Sequence, residues 1–236
     1  MIESRPPRTP APIERSKLAV RLTSKAALLA AFVGALLFAA AGSLRYWEAW
    51  VYLGILVGPP LVSNLYLLAR DPAFLERRLR WREKDRRQRL NRAAMGALVM
   101  LGRVLAGLDY RYRWSEAPAA LVLAAAAVML AAFALQLRVF QENRYAAATV
   151  EVETGQQLIS SGPYAAVRHP MYLSALLLFP FTRLTLGSYW AVPPFLLTAA
   201  GIVLRIRSEE ATLSRELPGY AKYCRKVPWR LAPGVW

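Results

Sequence analysis

Two polar blocks flank an apolar stretch towards the C-terminal end of this sequence, and the residues able to do chemistry gather in them. The first runs through Glu142-Asn143-Arg144-Tyr145, Thr149-Val150-Glu151-Val152, Gly155-Gln156-Gln157-Leu158-Ile159 and Gly162-Pro163-Tyr164 to Val167-Arg168-His169-Pro170-Met171-Tyr172. The second opens with Arg205-Ile206-Arg207-Ser208-Glu209-Glu210 and continues through Leu217-Pro218-Gly219-Tyr220, Tyr223-Cys224, Val227-Pro228 and Pro233. One histidine and one cysteine, His169 and Cys224, leave no intrachain disulfide and no zinc cluster. A lone histidine is by default a satisfied structural residue, but Pro170 after it suits the first position of a helix. The free N–H groups of such a terminus attract carboxylates, and Arg168 with His169 beside it would make a carboxylate-binding corner. Arg205 and Glu209 are four apart and share a helical face; taken alone they read as an ion pair at the edge of a span. Tyr220 and Tyr223, taken alone, read as an interfacial aromatic belt.

The elements that must hold these residues are apolar. Of the 236 residues 56% are hydrophobic, yet the formal net charge is +16. A soluble fold accommodates that combination poorly, whereas a membrane protein alternates apolar spans with basic cytoplasmic loops. Basic charge lying between apolar runs, and not on one continuous patch, argues against nucleic acid as a partner; it suits anionic lipid headgroups, at about 1 kcal/mol per Lys or Arg. Runs at Ala26 to Leu44, Trp47 to Leu68 (interrupted by Pro59 and Pro60, where a kink is expected) and Pro118 to Leu137 approach the ~20 residues that cross a bilayer. Met171 to Arg183 and Ser188 to Leu204 form a helical hairpin turning at Leu186-Gly187-Ser188. Ala93 to Leu108, at ~24 Å as a helix, either crosses or lies on the surface. The first run resembles a signal peptide in its Lys25 flank and Ala39-Ala40-Ala41 end; its long, proline-bearing tail and the later spans favour an uncleaved span.

The expected fold is therefore an all-α, polytopic membrane helix bundle of five to six transmembrane helices. It divides into a cytoplasmic tail (1–25), N-terminal helices (26–137) with a basic cytoplasmic loop (70–92), and a polar-flanked region (138–236) containing the hairpin 171–204. The positive-inside rule puts the tail and the 70–92 loop in the cytoplasm. The basic residues after Leu204 favour six crossings, which makes both termini cytoplasmic. Residues 149–152 could form a short strand but read better as a structured loop.

Taken in order, Gly162-Pro163-Tyr164, Arg168-His169-Pro170-Met171-Tyr172, the apolar hairpin, Arg205 with Glu209-Glu210, then Tyr220, Tyr223 and Pro233 resemble the isoprenylcysteine carboxyl methyltransferases and their bacterial relatives, neighbours of the phospholipid N-methyltransferases. The resemblance covers Glu142 to Trp236. It implies an S-adenosylmethionine site at the cytoplasmic face of a bacterial inner membrane, held by Gln156, Gln157, Leu158, Ile159, Tyr164, His169, Pro170, Met171, Tyr172 and Glu209. It also implies that Arg205 meets the carboxylate of a lipid-like or prenylated substrate, and it calls for no metal. The sequence departs from the family at Glu216-Leu217-Pro218-Gly219, where a Phe-Gly turn is usual. No Gly-x-Gly-x-x-Gly turn follows a strand, which argues against a Rossmann methyltransferase. Two other readings stay open: an NADPH-dependent membrane reductase of the sterol-reductase type, similar around Arg168-His169-Pro170 and Tyr223-Cys224, and a non-enzymatic scaffold or transporter using Arg103 and Arg183 within the spans.

Overall fold

A computed structural model describes residues 12–80, 86–146, 156–234 and 236. The segments 1–11 of the tail, 81–85 of the basic loop and 147–155, with the suggested strand at 149–152, lie outside the described residues. Among the described residues eight α-helices follow in order: α1 (Pro12–Ala41), α2 (Trp47–Arg70), α3 (Pro72–Arg80), α4 (Arg86–Tyr112), α5 (Ala119–Glu142), α6 (Pro170–Thr185), α7 (Val192–Glu216) and α8 (Tyr220–Lys226). A single 3-10 turn, Gly162–Ala165, precedes α6.

The helices α1, α2, α4 and α5 are each long and apolar enough to cross a membrane. They are apolar on their outer as well as their inner faces: Leu28, Phe32, Val62, Leu123 and Leu130 are exposed. A helix hydrophobic all round needs lipid, not water, outside it. The molecule is a polytopic membrane helix bundle. Its central core joins Val33 and Leu37 of α1, Ala49, Tyr52 and Ile55 of α2, Ala106 of α4 and Met129 of α5. Gly107 lets α4 approach α1 closely, because a Cβ there would stand 2.6 Å from the Ala40 Cβ and 2.9 Å from the Leu37 carbonyl oxygen. Inside the bundle Arg103 donates from Nε (3.0 Å) and Nη2 (2.7 Å) to the Tyr52 hydroxyl, tying α4 to α2.

Helix α4 resolves the alternative left by the 93–108 segment. It is 27 residues long, or ~40 Å, because polar residues at both ends extend the apolar stretch as helix. Its start lies by α7, where Asn91 Nδ2 donates to the Gly201 carbonyl (3.1 Å). Its end lies by the α6–α7 turn, where Ser188 donates to Asp109. It therefore runs the length of the bundle. The same far end holds Tyr46, whose hydroxyl donates to the Leu186 carbonyl (2.5 Å).

The hairpin turns at Leu186 and at Gly187, whose φ of 69° suits glycine. Its second helix begins at Val192, later than Ser188, and continues past Leu204 to Glu216. Likewise α1 starts at Pro12, within the segment assigned to the tail, and α2 runs through Pro59 and Pro60 as one helix. At the near end, Leu22, Leu67, Phe74, Leu75 and Phe140 of α1, α2, α3 and α5 close a second core with Ala146, just after α5.

Candidate functional site

Pro170 is the first residue of α6 and His169 its N-cap. The amides of Met171 and Tyr172 have no acceptor within their own helix, as for any first turn. Tyr172 points its hydroxyl at α7, which passes with Arg205 and Glu209 one turn apart. The phenol accepts from Arg205 Nε (2.9 Å) and donates to Glu209 Oε2 (2.5 Å). The two α7 residues expected to share a face thus do so through one tyrosine.

In front of Tyr172 opens a cleft of about 790 Å³, its mouth included. Every one of Gln156, Gln157, Leu158, Ile159, Tyr164, His169, Pro170, Met171, Tyr172 and Glu209 lines it. Arg205 is not among the lining residues and stands behind Tyr172. The expected cofactor residues did not include further walls of the cleft: Asn143, Tyr145 and Ala146 after α5, Thr212 and Leu213 of late α7, and Leu217 just beyond it. Asn143 could have been suspected from its place at the end of a span, where its Oδ1 accepts from the Tyr145 amide (2.8 Å) and its Nδ2 donates to the Tyr164 hydroxyl (2.9 Å).

Tyr220 and Tyr223 are no interfacial belt. Both are buried, at 3% and 5% exposure, and both line the cleft. Gly219, at φ 84°, turns the chain into α8 so that the two tyrosines fold back under Leu158 and Leu213. The Tyr223 hydroxyl donates to the Tyr164 carbonyl (2.7 Å). The Tyr220 hydroxyl is buried with no hydrogen-bond partner among the described residues. Burial pushes the Tyr164 phenol up to about 12, against the lowering effect of the Asn143 bond.

The corner at Arg168 and His169 is already supplied with a carboxylate. Glu210 Oε1 meets Arg168 Nη1 at 2.9 Å and His169 Nε2 at 3.3 Å, and its Oε2 meets Arg230 Nε at 2.7 Å. Burial by itself would raise the Glu210 carboxyl; the bonds from His169 and Arg230 and the charge of Arg168 hold it down at about 2. Arg168 also donates to Cys224 Sγ (3.1 Å) and to the Pro228 carbonyl (3.1 Å). Backbone bonds from the Arg168 amide to Trp229 and the His169 amide to Arg230, both 2.9 Å, stitch the C-terminal segment to this rim. The corner thus already holds a carboxylate of its own. Glu209 is the one acidic residue among the described residues lining the cleft, and Glu210 behind the wall pairs with Arg168 and meets the His169 ring nitrogen.

Comparison with known proteins points to the same stretch. The profile of the phospholipid methyltransferase family matches residues 117–218, which span α5 to the end of α7 and hold all the lining residues except Tyr220 and Tyr223. This family neighbours the one the sequence resembles, and the match supports that resemblance. The chain is also 33% identical over 91 residues to the Delta(14)-sterol reductase of Mus musculus, an alignment covering 37% of this chain and 22% of the reductase.

Proposed function

We propose that this chain is an integral membrane S-adenosylmethionine-dependent methyltransferase, similar to the isoprenylcysteine carboxyl methyltransferases, that methylates the carboxylate of a lipid-like or prenylated substrate. The observation that carries the reading is the make-up of the cleft wall: tyrosines and the Glu209 carboxylate line it, while its one arginine, Arg168, is paired with Glu210. Such a surface favours a cation over a polyanionic dinucleotide. The unpartnered Tyr220 hydroxyl fits a polar ligand atom.

When bound, S-adenosylmethionine supplies an electrophilic methyl group on a sulfonium. Gln156, Gln157, Tyr164, His169, Tyr172 and Glu209 would hold it, with Leu158, Ile159, Pro170 and Met171 forming the apolar parts of the wall. The chain's own contribution to rate is placement. A carboxylate is ionised at neutral pH and needs no base. Arg205, oriented by its Nε bond to Tyr172, would meet it as a guanidinium fork, and alignment lowers the barrier. The basic loops would rest on anionic lipid headgroups.

Two specific matches favour other acceptors or cofactors. The phospholipid methyltransferase profile supports a headgroup amine as the alternative acceptor, and the sterol reductase similarity supports NADPH as the alternative cofactor. Calorimetric titration of the detergent-purified protein with S-adenosylhomocysteine and, in parallel, NADPH separates the cofactors. We expect saturable binding of the first alone, lost in Glu209→Ala and kept in Arg205→Ala. Binding of NADPH alone would replace this reading with the reductase. Turnover on an S-prenylated N-acetylcysteine against phosphatidylethanolamine in mixed micelles then decides the acceptor, with Arg205→Ala abolishing the former.

A further inference from the structure

We infer that Glu210 is a positioning residue that fixes His169 in its Nε2–H tautomer and so turns the Nδ1 of the ring into a hydrogen-bond acceptor for the ligand of the cleft. The inference rests on the cofactor reading of that cleft and adds a residue that lies behind its wall. Glu210 is not a lining residue, whereas His169 is, with its side chain only 3% exposed.

The argument is one of donor and acceptor count. An ionised carboxylate only accepts, and the Glu210 carboxylate is held ionised by its three partners. The ring nitrogen facing it at 3.3 Å, Nε2, must then carry the proton. In a neutral imidazole the other nitrogen has a lone pair and no hydrogen. The ring is further oriented by Tyr172, whose own ring lies 5.7 Å away at 49°, and by the backbone bond from the His169 amide to the Arg230 carbonyl. A cofactor offering an amino group or ribose hydroxyls would find an acceptor there. An Nδ1–H ring would present a second donor instead, and would leave Nε2 lone pair against carboxylate.

His169 is the only histidine, so its tautomer can be read without resonance assignment. Protein labelled with ¹⁵N at histidine, reconstituted in lipid, is examined by solid-state NMR at about pH 8.5, above the usual histidine range. The parent should show the Nε2–H tautomer alone. In Glu210→Gln one acceptor oxygen remains for three donors, and the shorter contacts to Arg168 and Arg230 claim it. The ring should then populate both tautomers, and S-adenosylhomocysteine should bind about tenfold more weakly, or ~1.4 kcal/mol. Arg230→Gln, which removes another partner of the same carboxylate, should keep the single tautomer and bind within about threefold of the parent. A parent in the Nδ1–H form overturns the inference, as does a Glu210→Gln protein with the parent's affinity. The tautomer is read without ligand, so a parent showing Nε2–H but binding no S-adenosylhomocysteine overturns the cofactor reading and the acceptor role that depends on it, and leaves the Glu210 contact measured.

Discussion

At the scale of the residue, the site turns on side chains that join two others. Tyr172 is one: its hydroxyl accepts from Arg205 and donates to Glu209. Tyr172→Phe removes both bonds and leaves a half-buried carboxylate and a guanidinium to find water or each other, at about 1–3 kcal/mol. We expect it to weaken S-adenosylhomocysteine binding about tenfold in calorimetry. A double-mutant cycle with Arg205→Ala should give a coupling of about 0.5 kcal/mol or more, against additivity within ~0.3 for independent sites. Glu210 is the second joining residue, and its effect is visible in acid. Its carboxyl titrates near 2 when folded, below its ordinary 4.5, so between those values the unfolded chain binds the proton first. The stability it contributes is complete above about 4.5 and is lost as pH falls towards 2. Thermal melts in detergent across that window should fall more steeply for the parent than for Glu210→Gln; equal slopes would deny Glu210 the role. The spacing of Arg205 and Glu209 made their shared face legible in the sequence. Glu210, one residue on, faces different partners because successive helical residues point about 100° apart, and those partners come from both before α6 (Arg168, His169) and the C-terminal segment (Arg230).

At the scale of the element, close helix approaches set where the cleft falls. In α4, Gly107 meets the α1 backbone itself, the Leu37 carbonyl oxygen and the Ala41 nitrogen lying 2.9 and 3.1 Å from a Cβ built there. In α7, Gly201 faces the far end of a flexible side chain, Met95 Sδ at 2.8 Å. Backbone cannot move aside as a thioether can. Gly107→Ala should therefore destabilise the protein by about 1–3 kcal/mol, and Gly201→Ala by less. Denaturation in mixed micelles would rank them, and the reverse order would refute this account of the α1–α4 contact. Small residues at membrane helix contacts are readable in principle, but which glycine meets backbone depends on the crossing geometry. The hairpin and the Pro170 start of α6 were readable because Gly187 and a proline mark them. The later start of α7 and the burial of Tyr220 and Tyr223 were not. Tyrosines near a span end have the same sequence pattern whether they face headgroups or a cleft, and only the turn at Gly219 separates the cases.

At the scale of the whole molecule, the question is which side of the membrane the cleft serves. The bundle sorts its features to two ends. At one lie the junction of α2 with α3, the end of α5, the cleft and the C-terminal segment, joined by the Arg78 bond to the Ala146 carbonyl (3.3 Å) and the Phe74–Phe140 contact. At the other lie Tyr46, Asp109, Ser115 and the α6–α7 turn, held together by Ser115 and Ser188 on Asp109. The hairpin starts and finishes at the cleft end, since Tyr172 and Glu209 are bonded there, so its depth in the bilayer does not alter the side on which the cleft opens. The basic residues of α3 and of the start of α4, described parts of the basic 70–92 segment, belong to that same end. Positive charge stays on the cytoplasmic side during insertion, and on that rule we propose that the cleft opens to the cytoplasm, where a soluble nucleoside cofactor is available. This proposed orientation rests on the composition, whereas the long polar ends of α4 were hidden in its charged flanks. In a Cys224→Ser background, cysteines at exposed Ser160 near the cleft and exposed Glu116 near the opposite end should divide cleanly: an impermeant maleimide should label Ser160→Cys only in inside-out vesicles and Glu116→Cys only in right-side-out ones. Labelling of both positions from one side would mean that α5 fails to cross. The reverse division would place the cleft outside and deprive the proposed reaction of its cytosolic methyl donor.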